Sequence, residues 1–263
     1  VKADRDDIYL RGEYFQDGTP HLQGDELDAS MNYQWFNTPM RRWLGGADLG
    51  SAESQPFADN NPMATEALAE QWDNFMAAIP YVIALQQFNQ LGSHDITRIL
   101  HVTGGDAELV KLGLALLLAF PGVPCIYYGD EIGLDGGRDP YNRRPFPWHD
   151  ESKWDRDLYA YHQQAFGLRQ QLPALKFGGF QLLHAAGDLI AFQRHTAEQT
   201  VIVVGYRGET TTEAVGVDVM AGGLGDETVL MDGFSESRVT IREGQVKLNG
   251  IQHGQALYLV VQR

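Results

Sequence analysis

The residues able to move protons or hold hydroxyl groups fall in four places. Glu13 stands in Arg11-Gly12-Glu13-Tyr14-Phe15, directly after the β-prone run Ile8-Tyr9-Leu10. A carboxylic acid set among aromatic rings can keep its proton to higher pH and act as a proton donor. The plainer alternative is one more solvated glutamate. His94-Asp95 follows Asn89-Gln90-Leu91-Gly92-Ser93, with Arg98 a turn further on. Such a pair can hold hydroxyl groups between its members, or Asp95 can cap the next segment by accepting its free backbone N–H groups. Asp130-Glu131 closes the run through Tyr127-Tyr128 and reads as a structural pair, taking loop N–H donors or arginines. In Asp139-Pro140-Tyr141-Asn142-Arg143-Arg144 an acid precedes a base by four positions. Together Asp139 and Arg143 can grip hydroxyls as acceptor and donor, or form a surface ion pair worth little.

Other chemistries lack their residues. His21, His94, His101, His149, His162, His184, His195 and His253 are scattered, without metal-ligand spacing. No glycine-rich phosphate loop precedes a helix, and no Gly-x-Ser-x-Gly elbow occurs. Cys125 is the one cysteine and reads as a core thiol. The net charge of −15 argues against a nucleic-acid partner, which needs concentrated Lys and Arg. No apolar run approaches the roughly 20 residues that span a bilayer, and no signal segment opens the chain. Cytoplasmic residence is therefore expected.

The candidate groups need elements to hold them. Ile8–Leu10 and Ala29–Phe36 read as short extended segments. Residues 45–61 are rich in Gly, Ser, Asp and Asn and read as loop. Asn61-Pro62 has the form of a helix cap and first position, ahead of Leu68, Trp72, Phe75, Met76 and Ile79 at helical spacing. Pro80 should kink or split that helix. Phe88–Leu91 is a strand candidate, and Asp106 should cap an apolar helix with Leu109, Leu112, Leu116 and Ala119 on one stripe. Residues 122–129 are β-prone, 133–150 loop, and 155–172 helical. Strand, loop and helix thus alternate, as in βα units closing on a parallel sheet, and the acids sit just after the strands. The catalytic face of a (β/α) barrel is built there, but about four units fit before residue 172 where a full barrel needs eight strands. From Gly178 onward short β segments alternate with glycine-bearing turns, a second, all-β domain. The boundary is expected near 176.

Gly12-Glu13-Tyr14-Phe15, Met31-Asn32-Tyr33, Leu91 to Arg98, Pro121 to Leu134, and Arg138 to Trp148 together resemble the α-amylase superfamily of glycoside hydrolases. The similarity is strongest to the maltodextrin glucosidase, neopullulanase and cyclomaltodextrinase branch and covers nearly all of 1–172. It implies an α/β fold: residues 1–176 as the C-terminal half of a (β/α)8 TIM barrel, and 177–263 as an antiparallel β-sandwich domain. It also implies roles. Glu13 matches the general acid/base, and Asp95 the carboxylate that stabilises the transition state. His94 matches a histidine on the same sugar, and Asp139 and Arg143 a loop pair on the glucose at the non-reducing side. Tyr14, with Tyr128, Trp35, Trp43, Trp148 and Trp154, offers aromatic surface on which sugar rings can stack, although packing explains most such rings.

The nucleophile of the family does not carry over, because it lies well upstream of the acid and only twelve residues precede Glu13. Asp4, Asp6 and Asp7 read as loop acids. The chain opens without Met, directly before a strand, as a fragment or cleavage product would. The expected partners are an N-terminal fragment of the same protein carrying the rest of the barrel, an α-glucan oligosaccharide, and a second copy as a homodimer. No cofactor is required by this segment; a structural calcium belongs, if anywhere, to the upstream part. The resemblance implies a retaining hydrolase of α-1,4-glucosidic bonds. The rivals are a non-catalytic amylase-like protein and a transglycosylase or isomerase using the same carboxylates.

Overall fold

The computed structural model describes residues 4, 5, 7–45 and 61–262. Most of the loop expected at 45–61, with Asp6, lies outside the described residues. Four short parallel strands come first. β1 (Arg11–Gly12) pairs with β2 (Ala29–Ser30), and β3 (Phe88–Gln90) with β4 (Val123–Cys125). A parallel bridge between Met31 and Phe88 joins the two pairs, so β1, β2, β3 and β4 lie in chain order. Helices α1 (Thr38–Gly45), α2 (Thr65–Ala78) and α3 (Tyr81–Ala84) follow β2. After β3 come α4 (Ile99–Val102) and α5 (Ala107–Ala119); after β4 come α6 (Arg156–Gln171) and α7 (Pro173–Phe177).

Local sequence accounts for the strongest of these. Asp106 caps α5 by accepting the N–H groups of Glu108 and Leu109, and Asp155 caps α6 through Leu158 N–H. Every residue of α5 from Val110 to Ala119 is buried, so it is a central helix rather than a surface one. Two expectations need correction. The extended run at 29–36 stops at Ser30: Asn32 gives its N–H to Phe88, and Tyr33–Asn37 winds into a π-helical turn. α2 starts at Thr65 with Ala64 at its N-cap, not at Pro62. Arg42 holds the extended backbone there, its Nε donating to Asn61 O (2.7 Å) and its carbonyl accepting from Met63 N–H (3.2 Å). Pro80 falls between α2 and α3, which are separate helices.

The rest of the chain is antiparallel: β5 (Gly179–Ala186), β6 (Leu189–His195), β7 (Thr200–Tyr206), β8 (Thr211–Asp218), β9 (Val229–Asp232), β10 (Arg238–Arg242), β11 (Gln245–Ile251) and β12 (Gln255–Val261). The strands form one hydrogen-bonded series, β5-β6-β7-β12-β9-β10-β11-β8, not two separate sheets. It curls over a core of Leu189, Ile202, Val217, Ile241, Val246 and Leu259. Its outer side packs on the helices. Trp43, Trp72, Leu116 and Phe120 share one apolar cluster with Phe192, Val203 and Tyr258, and the Tyr258 hydroxyl donates to Ala115 O of α5 (2.5 Å). Each large apolar side chain so buried is worth roughly 1.5–3 kcal/mol, so this shared core fixes the sheet against the helices. Among the described residues no helix is long and apolar enough to cross a membrane.

Candidate active site

The acids sit where parallel strands end. β1 delivers Glu13, one residue beyond its last, and β3 delivers His94 and Asp95. The loop after β4 carries Asp139 and Arg143, with a short 3₁₀ turn at Tyr141–Arg143. Because neighbouring parallel strands end on the same side, the three loops cluster.

One phenol links the loop of Glu13 to the loop of Asp95. Two residues after Glu13, the Phe15 ring stacks on Tyr33 at 4.2 Å. Tyr33 is buried and donates its hydroxyl to Ser93 Oγ (2.9 Å), which also accepts the N–H of Asp95 (3.2 Å). Burial pushes the Tyr33 pKa up against its hydrogen bonds with Ser93 and Gln90, and the charges of Asp95 and Glu13 add a smaller push upward.

Around Asp95 the polar groups are close. His94 Nε2 stands 3.2 Å and Arg143 Nη2 3.5 Å from Asp95 Oδ1, and Arg143 Nε stands 3.3 Å from Asp139 Oδ1. The Arg143 guanidinium thus spans two carboxylates. Its side chain is 44% exposed and that of Asp139 63%, so these pairs contribute at most about 1 kcal/mol each to stability. What they supply is a surface of donors and acceptors open to a ligand. Asp95 is no helix cap: α4 has Arg98 at its N-cap and no side-chain capping bond.

A buried layer lies beneath. Arg98, fully buried, donates to Asp130 Oδ1 (2.9 Å) and Tyr128 O (2.8 Å) and lies over the rings of Tyr127 and Tyr128. Burial pushes the Asp130 carboxyl up to about 7 against the pull of Arg98 and Arg41. Arg41, also buried, donates to Leu91 O (2.7 Å), and burial lowers its pKa to about 10. The expected structural part of Asp130, pairing with an arginine, is what its geometry supplies. Asn142 is fully buried and donates to His94 O (2.8 Å) and Ile96 O (2.9 Å).

The aromatic residues divide. Trp43 and Trp72 are core; Trp35 stacks on Phe75 and donates to Asp17. Tyr14 lies against Gly12, Gly18 and His21. Trp148 is exposed and packs on Phe146. Cys125 is a free, half-buried thiol whose pKa burial raises. Among the described residues no three His, Cys, Asp or Glu side chains are placed to hold a metal ion. Sequence reasoning gave no role to Tyr33, Ser93 or Asn142. Their common signal is a hydrogen-bonding side chain within or beside a candidate loop, and only the fold reveals the long-range partner.

Residues 1–155 match the family model described as alpha amylase, catalytic domain. Over 215 residues the chain is 34% identical to a cyclomaltodextrinase of Geobacillus thermopakistaniensis (strain MAS1), covering 81% of this chain and 34% of that protein. It is 30% identical over 251 residues to neopullulanase 2 of Thermoactinomyces vulgaris, covering 94% and 39%. The solved debranching enzyme from Nostoc punctiforme superposes with a TM-score of 0.83 at 31% identity, covering 98% of this chain and 53% of that one. The chain thus spans about a third of the length of the relatives it matches and about half of the solved chain.

Proposed function

The chain belongs to the alpha-amylase family, and from that premise we propose that it carries part of the active site of a retaining glycoside hydrolase. Its substrates are α-1,4-glucosidic bonds in maltodextrins or related oligosaccharides. Residues 1–176 are the C-terminal half of a (β/α)8 barrel and 177–263 its C-terminal domain. The remaining strands come from residues of the same protein outside these 263.

Glu13 protonates the leaving glycosidic oxygen while a carboxylate outside these 263 residues attacks the anomeric carbon and forms a glycosyl-enzyme ester. Glu13 then removes a proton from water, which attacks the same carbon and frees the carboxylate. Asp95 and His94 hold sugar hydroxyls more tightly in the transition state than in the ground state. Asp139 and Arg143 hold the glucose on the non-reducing side.

The observation that supports this reading is that the loops carrying Glu13 and Asp95, after β1 and β3, meet at Tyr33, through Phe15 on one side and Ser93 on the other. Glu13→Gln in the protein's full-length form should lower kcat on maltotriose by about 10²–10⁴-fold, the usual contribution of a positioned acid/base. Near-parent turnover overturns the assignment.

A further inference from the structure

We infer that Asn142 is a positioning residue that clamps the Asp95 loop to the Asp139–Arg143 loop and so sets where the Asp95 carboxylate stands; this rests on the hydrolase reading above. The two carbonyls that its Nδ2 reaches, His94 O at 2.8 Å and Ile96 O at 2.9 Å, flank Asp95 on either side. One amide group therefore holds the His94–Asp95 peptide, which ends on the Asp95 Cα, and the Ile96–Thr97 peptide just beyond it. With the backbone anchored on both sides, the span that carries the Asp95 Cα–Cβ bond has little room to turn.

The amide can stand in one way only. Flipped, its oxygen would face two carbonyl oxygens, which have no proton to offer. As it stands, Oδ1 is buried without a hydrogen-bond partner among the described residues, an arrangement that folds rarely keep. Asn142 is itself seated. Its carbonyl accepts from the Tyr127 hydroxyl (3.2 Å), and a Cβ at Gly136 would meet its Cα at 2.9 Å. Gly136 O in turn accepts the N–H of Arg98 (2.9 Å). The loop thus approaches Asp95 twice: through the exposed Arg143 guanidinium on the carboxylate, and through buried Asn142 on the backbone. Exposed charge pairs are screened and mobile, whereas buried bonds hold geometry.

The test uses the full-length protein, with Asn142→Leu, Asn142→Asp and Glu13→Gln assayed on maltotriose from about pH 4.5 to 8. A displacement of about 1 Å at a catalytic group costs about a hundredfold, so Asn142→Leu should lose about that in kcat with KM within about threefold. In Asn142→Asp, a buried carboxyl facing two carbonyl oxygens should hold its proton well above the usual carboxylate range. Protonated, it donates one of the two bonds. Its kcat relative to the parent at the same pH should therefore recover as the pH falls, while that of Asn142→Leu stays flat. Parent-like kcat in Asn142→Leu, or no pH-dependent recovery in Asn142→Asp, overturns the clamp. If Asn142→Leu fails to fold, the isosteric Asn142→Asp decides alone. If Glu13→Gln turns over like the parent, the hydrolase reading fails instead. The clamp is then judged by hydrogen exchange at the Asp95 and Ile96 amides, where faster exchange in the folded Asn142 variant supports it and unchanged exchange overturns it.

Discussion

Replacing Gly92 by alanine would drive a methyl group into the seat beneath the Asp95 loop. A Cβ there would lie 2.5 Å from Asp130 Oδ2 and 3.4 Å from Tyr127 Cβ, where ordinary contact begins at 3.4 Å. Relief needs a shift of 0.9 Å, the difference between 3.4 and 2.5 Å. Asp130 is poorly placed to give it. Its other oxygen is held by Arg98 at 2.9 Å, and Arg98 is pinned by Tyr128 O and two aromatic faces. The backbone at 92 must move instead, and Asp95 is three residues on.

Overpacking of this kind costs about 1–3 kcal/mol. For a chain of this size each kcal/mol lowers the melting temperature by about 2–4 °C, so the fall should lie between about 2 and 12 °C. Carried to Asp95, a shift approaching 1 Å should lower turnover about a hundredfold. Thermal unfolding of this chain by circular dichroism and maltotriose hydrolysis by the full-length protein read the two effects separately. Gly113→Ala is the control, because its Cβ would meet Leu44 Cδ1 at 2.7 Å and Leu91 Cδ1 at 3.1 Å, ends of side chains that can rotate away. Alanine inside α5 also gains up to about 1 kcal/mol of helix propensity, so the control should melt near the parent. A Gly92→Ala protein with the parent's melting temperature and turnover would refute the rigid seat.

Two further outcomes follow from exposed contacts. His253 Nε2 lies 2.7 Å from Asp106 Oδ2, and its Nδ1 lies 2.9 Å from Gly208 O. Burial lowers the His253 pKa, but those hydrogen bonds and nearby acids outweigh it and the net shift is upward. A histidine raised on folding stabilises fully below its unfolded pKa of about 6.5 and loses that stability as pH rises through the folded value. The melting temperature should therefore carry a decline above about pH 6.5, worth at most about 1 kcal/mol after solvent screening, that His253→Asn removes. An unchanged pH slope in the variant counts against this pair. Arg143→Ala should leave melting within about 2 °C, since its pairs are exposed. Its KM for maltotriose should rise about tenfold, as loss of a charged hydrogen bond does; a large melting shift with unchanged KM would show a structural arginine instead.

What local sequence displays and what it hides differ by range. Asp106 shows its capping role because the N–H groups it accepts are two and three residues away. The start of α2 misleads because Asn61-Pro62 is a sound local signal, overruled by Arg42 from another helix. The candidate acids are visible as residue types placed after strands. That their loops lie together is not, because it depends on Tyr33 meeting Ser93 sixty residues away and Asn142 meeting His94 at forty-eight. The single curled sheet is hidden for the same reason. β7 bonds to β12 rather than to its chain neighbour β8, and short alternating strands carry no label for a partner so distant.

The groups around Asp95 separate by exposure, and the separation has a physical cause. His94, Asp139 and Arg143, which the proposed function sets against a ligand, lie in water, where ion pairs are weak and side chains wander. Such groups cannot hold their own geometry. Tyr33, Asn142 and Asp130 are buried, and each reaches the loop at a different point: Ser93 Oγ, the carbonyls of His94 and Ile96, and the space beside Gly92, while buried Arg98 holds Asp130 in place. These supports come from the turn after β2, the loop after β4 and the strand-end segments between them, so no one element sets the position of Asp95. A fault in any one support should therefore act on turnover through Asp95, whereas a fault in an exposed group should act on ligand affinity. Asn142→Leu and Arg143→Ala alter neighbouring residues of one loop, and their opposite expected splits between kcat and KM follow from this difference in burial alone.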